Sequence, residues 1–182
     1  MPVRVFEYID VGARARKLGC EIPTRLCLLP ANFTTARSRA DLVYDEYAPL
    51  LRQEWRRAGL TETPLEKRTL RFAPPVPEGG NERVRFAFFI GAELMNQNCY
   101  AVTVAVSVTA GILEEICRDR PGRGQAVVDV IVERRQGGGY IWLQYDGDAL
   151  GPIELELKRA IKNAWESKPP EQRDYSSGSE TG

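Results

Sequence analysis

The side chains with the readiest chemistry in this 182-residue sequence are four cysteines, Cys20, Cys27, Cys99 and Cys117. A thiol attacks only as its thiolate, which needs an electropositive and partly exposed setting. Cys27 stands instead between Leu26 and Leu28-Leu29, the surroundings of a buried, inert thiol. Histidine is absent from the chain, so its residues alone assemble no Cys-His dyad, no Ser-His-Asp triad and no His-containing zinc site. The cysteine spacings also lack the CxxC pairs of a thiolate zinc site. The four are expected as reduced thiols with a structural role in a cytoplasmic protein, since no positively charged, apolar signal segment precedes them.

The remaining candidates are weaker. Glu114 and Glu115 are adjacent carboxylates, but neighbours on a helix diverge by about 100° and do not face one reacting atom. They read as salt-bridged surface. Gly137-Gly138-Gly139 lacks the Lys-Ser/Thr of a phosphate loop and joins two strands, so it is a turn. Lys+Arg 25 balances Asp+Glu 25, and the basic groups at Arg56-Arg57, Lys67-Arg68, Arg118 to Arg123 and Arg134-Arg135 are scattered among acids. No continuous groove for nucleic acid follows. No catalytic residue, cofactor or metal ligand is expected.

The elements that position these residues are clearest in the C-terminal half. Val84 to Ile90 puts Val84, Phe86, Phe88 and Ile90 on one side of an extended chain. Asn96-Gln97-Asn98 offers caps for a helix from Cys99 to Cys117. Within it, Ala101 to Val108 alternates as a strand would, yet Val102, Val106, Thr109, Leu113 and Ile116 make a helical stripe. The helix is the expectation, stopped by Pro121-Gly122. Polar residues interrupt the uncharged span from Asn96 to Leu113, leaving its apolar part short of the roughly 20 residues of a membrane span, so a buried core helix is expected. Val127 to Glu133 and Tyr140 to Tyr145 form a hairpin. A last helix opens at Gly151-Pro152, with Ile153, Leu157, Ala160, Ile161 and Ala164 on its apolar stripe and Glu154 with Lys158 on its wet side.

In the N-terminal half, Val3 to Ile9 and Thr24 to Leu29 read as strands, with Arg14 to Gly19 a basic loop between them. Ser38 and Asp41 resemble a capping box before a long helix lined by Ala40, Tyr44, Tyr47, Leu51, Trp55 and Ala58, which Pro49 should bend or split near Asp45. Thr69 to Phe72 is a further candidate strand, and the Pro- and Gly-rich 73–82 segment a surface loop. The polar 168–182 tail is expected to be disordered. The sum is one α+β domain over 1–167: a mixed, mainly antiparallel sheet with three helices packed on one face, in the order β-β-α-β-β-α-β-β-α.

Ala101 to Ile116, the basic Arg118 to Arg123, the strand Val127 to Glu133, the glycine turn, Tyr140 to Tyr145 and the final helix resemble the order seen in effector-associated constant component domains. Those are small modules of bacterial conflict systems. The resemblance covers the C-terminal half and implies an adaptor beside a separate effector; it carries over no catalytic residue. Together with the missing catalytic constellation it leads to a non-catalytic protein-interaction module with a protein partner, no membrane and no nucleic acid. The alternatives are a small-molecule sensor or an enzyme using carboxylate, Arg or Cys. On the hairpin, Val128, Val130, Val132, Ile141, Leu143 and Tyr145 share the face expected to meet the helices. Ile131, Tyr140 and Trp142 stand on the other face, and aromatic residues of this kind make them the expected partner contact.

Overall fold

Strands β1 (Val3–Phe6), β2 (Leu26–Leu29), β3 (Val84–Ile90), β4 (Gln125–Glu133) and β5 (Tyr140–Asp148) form one sheet in the spatial order β1-β5-β4-β3-β2. The computed structural model describes residues 3–6, 9–63, 65, 83–119, 124–135 and 139–167. All neighbouring strands are antiparallel except β3 and β4, which run parallel. Parallel neighbours require a crossover. It is made by a short helix, α3 (Ala92–Gln97), and a long one, α4 (Cys99–Asp119); helices α1 (Val11–Lys17), α2 (Ala48–Arg57) and α5 (Ile153–Glu166) complete the set.

The α+β class and the mixed, mainly antiparallel sheet agree with expectation; the helix number and the element order do not. Five helices are present among the described residues where three were expected, and the order is β-α-β-α-β-α-α-β-β-α. The expected strand at 69–72, the loop at 73–82 and the tail at 168–182 lie outside the described residues.

The basic stretch from Arg14 is helix α1, not a loop. Asp10 caps it, its carboxylate accepting from the Ala13 N–H at 2.8 Å. Val11, Ala15 and Leu18 fall at helical spacing and are fully buried. Arg14 turns inward, donating from Nε to the Phe33 carbonyl at 2.8 Å and from Nη2 to that of Ala36. Because α1 lies on the opposite face from α2, α4 and α5, the helices are not all on one face.

Pro49 opens α2 instead of bending it, sitting in the first turn where its missing N–H costs nothing. The segment before it is not α-helical: turns at 31–35 and 46–47 flank one 3₁₀ turn, Arg39–Asp41, and the extended 42–45. There the Asp41 carboxylate accepts from the Ser38 N–H at 3.1 Å and its hydroxyl at 3.0 Å. Tyr44 still reaches the same core as Leu51 and Trp55, from an extended chain.

In α4 the helical reading of 101–108 holds. Asn98 accepts from the Ala101 N–H through its side chain at 3.2 Å. The buried Thr109 hydroxyl donates to the Ala105 carbonyl at 2.7 Å, which satisfies its polar group within the helix. Trp55 Nε1 donates to the same carbonyl at 3.3 Å and ties α2 to α4.

The sheet carries two cores. Val84, Phe86, Phe88 and Ile90 of β3, Val128, Val130 and Val132 of β4, and Ile141, Leu143 and Tyr145 of β5 face α2, α4 and α5. Cys27, Leu29, Phe89 and Ile131 face α1 together with Phe33, Leu42 and Leu65. The outer edge of β2 is closed from within the chain. Thr63 donates to the Leu26 carbonyl at 2.7 Å, and the Leu28 N–H donates to Glu62 at 3.1 Å. Glu62 is in turn held by both Arg52 Nε and Nη2, at 2.7 and 2.8 Å.

At the end of β3 the chain passes so close to the start of β2 that Gly91 donates to the Arg25 carbonyl at 2.6 Å. A Cβ on Gly91 would lie 1.9 Å from the Thr24 carbonyl oxygen, a backbone atom with no flexible side chain to yield. Gly91→Ala is expected to lower the unfolding free energy by about 3 kcal/mol, measured by urea unfolding. A loss below about 0.5 kcal/mol would mean that β2 and β3 separate there at no cost.

Candidate functional site

Two faces hold the candidate residues. The first is the outer side of the β4–β5 hairpin. Pairing sets Ile131 opposite Trp142 and Asp129 opposite Gln144. Ile131 is 1% exposed, covered by α1 and the 33–42 segment of its own chain, and so is a core residue and not a partner contact. Tyr140 and Trp142 are half-buried beside it. The Trp142 ring stacks on Phe6 with centroids 4.2 Å apart, and Tyr140 tilts against Phe89 at 6.0 Å. Both rings are therefore engaged inside the chain.

Asp129 is the unexpected residue of this face. It is 8% exposed, and one of its oxygens, Oδ1, accepts from Trp142 Nε1 at 2.7 Å and from Gln144 Nε2 at 3.0 Å. Burial pushes its carboxyl above the ordinary carboxylate range, against those two hydrogen bonds and the nearby Arg85, which favour the charged form. In the sequence Asp129 is a lone polar residue between valines; its partners lie on β5, two residues apart, and share a face because side chains alternate.

The second face is the outside of the α4–α5 pair. Ser107, Ala110, Gly111 and Glu114 of α4, the turn from Ala149 to Pro152, and Ile153, Glu154, Leu155 and Lys158 of α5 surround a groove of about 410 Å³. Leu150 and Leu155 are each 58% exposed at its rim. The turn is tight because Tyr145 donates from its hydroxyl to the Asp148 carbonyl at 2.6 Å, close beside Gly151. Across the groove, Ser107 Oγ donates to Glu154 Oε1 at 2.6 Å, and Lys158 donates to the same oxygen.

This groove holds a hydroxyl and a carboxylate in contact, the first requirement of an activated serine. The charge state argues against that use. Lys158 first and Ser107 second hold the Glu154 carboxyl below its ordinary value, which makes it a weak base. Cys27 is no better placed as a nucleophile: burial first, then Glu62, pushes its thiol well up. No disulfide joins the four cysteines. Among the described residues no three Cys, Asp or Glu side chains converge as a metal site would need.

By length and composition α4 could cross a membrane. Its Val102, Ala105, Val106, Thr109, Ile112, Leu113, Ile116 and Cys117 stripe is instead buried on the sheet side. The other side is the unusual one. From Cys99 to Leu113 the sequence has no charged residue, although Tyr100, Thr103 and Gly111 are exposed and Val104, Ser107 and Ala110 are half-exposed. A helix with one wet face ordinarily carries charge there. That absence was legible in the sequence, but the apolar stripe alone accounted for a core helix and the second face went unread. The chain matches no family model, no curated protein and no solved structure.

The Asp129 environment carries a pH prediction. With its carboxyl raised in the folded chain, the folded state holds the proton more tightly than the unfolded one. Its contribution to stability is thus fullest in acid and declines as pH rises from the ordinary carboxylate range through the raised value. Asp129→Asn keeps an Oδ1 that accepts from Trp142 and Gln144 and removes the buried charge. Stability at pH 7 should rise relative to the parent, and this part of the pH slope should flatten, in urea unfolding from pH 4 to 7. Asp129→Ala leaves both donors unsatisfied and should cost about 2 kcal/mol. An Asn variant as damaged as the Ala variant would show that the charge itself is needed, as in acid–base chemistry or cation binding.

Proposed function

We propose that this chain is a non-catalytic protein-interaction module that docks a partner protein on the outer face of α4 and into the α4–α5 groove. The observation that carries the reading is the uncharged, solvent-facing side of α4 between Tyr100 and Leu113, continued across the groove by the exposed Leu150 and Leu155. Contiguous exposed apolar surface with charge confined to its border is the composition of a docking face. Here the charges are paired, Glu114–Arg118 at the border and Glu154–Lys158 on the groove wall. The resemblance of the C-terminal half to effector-associated adaptor modules points to the same class of function.

The hairpin face supports the reading less well. Partner recognition through Tyr140 and Trp142 would have to break or bypass the Phe6 and Phe89 contacts and the Asp129 hydrogen bond. A small-molecule sensor is also less well supported. The groove volume lies in the range of ligand pockets, roughly 300–1,000 Å³, but its rim leucines are more than half exposed. Such a site leaves too much of a small ligand in water, where ligand pockets bury roughly 70–90% of it.

A photo-crosslinking amino acid replacing Leu155 tests the docking face in cells that express the protein. A discrete protein adduct is expected, and none from the same group at the exposed Gln53 of α2. Leu155→Glu should weaken partner binding by about 2 kcal/mol or more, the range of a hot-spot residue, with little effect on stability. Failure of position 155 to form any adduct, in a folded chain, would overturn the proposal.

A further inference from the structure

We infer that the occupant of the α4–α5 face is a second copy of this chain, docked about a twofold axis through Ser107 so that the two α4 helices run antiparallel and each Tyr100 enters the groove of the other. This rests on the reading of that face as a docking surface and names what docks there.

The first observation is a knob and a hole on one helix. Tyr100, Ser107 and Glu114 are seven residues apart, two turns each, and lie in line along the outer side of α4. Among the described residues Tyr100 is the most exposed large hydrophobic side chain, at 72%. Gly111 leaves the helix bare: a Cβ there would meet nothing within 4 Å. With Ser107 on the axis, Tyr100 of one copy comes opposite Glu114 of the other, Thr103 opposite Gly111, and Val104 opposite Ala110. Gly111, Glu114, Leu150 and Pro152 all border the groove. The ring would thus enter it beside the glycine, its hydroxyl within reach of the Glu114 carboxylate as acceptor. A twofold arrangement satisfies both copies with the same pair of contacts.

The second observation is charge complementarity. Glu114 and Glu115 stand toward the C-terminal end of α4, the negative end of its own peptide dipoles. The antiparallel register places them beside the N-terminal turn of the other α4, at Cys99 and Tyr100, the positive end of its peptide dipoles. A parallel or a strongly shifted pairing loses this match. Cys99 to Leu113 is uncharged, and the charge nearest the axis, Glu154, already accepts from Ser107 Oγ and from Lys158, so it enters the contact paired.

Sedimentation equilibrium of the purified full chain tests the inference. A dimer is expected for the parent. Gly111→Arg fills the notch and Tyr100→Asp removes the knob, and each should raise the dimer dissociation constant about 30-fold or more while circular dichroism and the melting profile stay those of a folded chain. Both positions face solvent, so loss of the dimer is separable from loss of the fold. Register is read by Ser107→Cys in a Cys99→Ser background, which should oxidise to a disulfide-linked dimer because residue 107 meets its own copy; Gln53→Cys in that background should not. A parent that stays monomeric at its highest soluble concentration, or a dimer that survives both surface variants, overturns the second-copy assignment. The crosslinker at position 155 separates the two failures. A monomeric parent that yields an adduct with a different protein sinks the dimer and leaves the docking face standing, whereas a monomeric parent with no adduct sinks both.

Discussion

The parallel pairing of β3 with β4 is the constraint that organises the rest of the molecule. Two parallel neighbours cannot be joined by a turn, so the chain must cross one face of the sheet between Ile90 and Gln125. That crossing is α3 and α4, launched by Gly91, where the backbone runs against Thr24 and Arg25 too tightly for any side chain. Placing α4 over the sheet decides what lies beside it. Trp55 of α2 reaches its Ala105 carbonyl on one side, and Ser107 reaches Glu154 of α5 on the other. One helix layer thus follows from one strand direction.

The two faces of the sheet are finished differently. Toward α2, α4 and α5 the strands present an apolar row from β2 to β5. Toward α1 the cover is one short helix and irregular chain, and Asp129 lies on this face beside Trp142. The polar network of Asp129, Trp142 and Gln144 satisfies its donors through a single carboxylate oxygen while burial raises the cost of the charge. Edge closure uses a second polar device. Arg52 fixes Glu62 so that the carboxylate can take the Leu28 N–H, which would otherwise be an open edge donor on β2.

Where local pattern and tertiary role agreed, the sequence was readable. The hairpin, α4 and α5 each have a period that matches the face they bury, and Asn98 caps α4 as its side chain permits. Reading failed where a strong local cue had two meanings. Pro49 is destructive inside a helix and favourable in its first turn, and only the extended path of 42–45 shows which applies. The charges of Arg14, Arg16 and Lys17 suggested a solvated loop, while Asp10, Val11, Ala15 and Leu18 were already a capped helix with a three-residue stripe. Ile131 could not be assigned to core or surface from its own strand, because the residues that cover it, Val11, Phe33 and Leu42, are far away in sequence. The outer face of α4 was partly legible: absence of charge over Cys99 to Leu113 is a sequence fact, but the exposed side of the stretch becomes visible only once the sheet claims the other.

Gly111 sharpens the argument for that face. A glycine in the interior of a helix costs roughly 0.5–1 kcal/mol relative to alanine, because the unfolded chain loses more freedom on ordering. Gly91 has a local cause, being pressed against backbone, and Gly19, Gly59 and Gly139 have positive φ, whereas Gly12 and Gly124 share with Gly111 the lack of either. At Gly111 the backbone is ordinary α-helix, and the space above it is open. Among the described residues nothing requires it to lack a side chain. The same is true of the exposed Tyr100 about three turns away, which makes apolar surface that the described fold does not use. A gap without an occupant and a ring without a pocket lie on one helix face at a spacing that an antiparallel copy would bring together, and no contact among the described residues uses either.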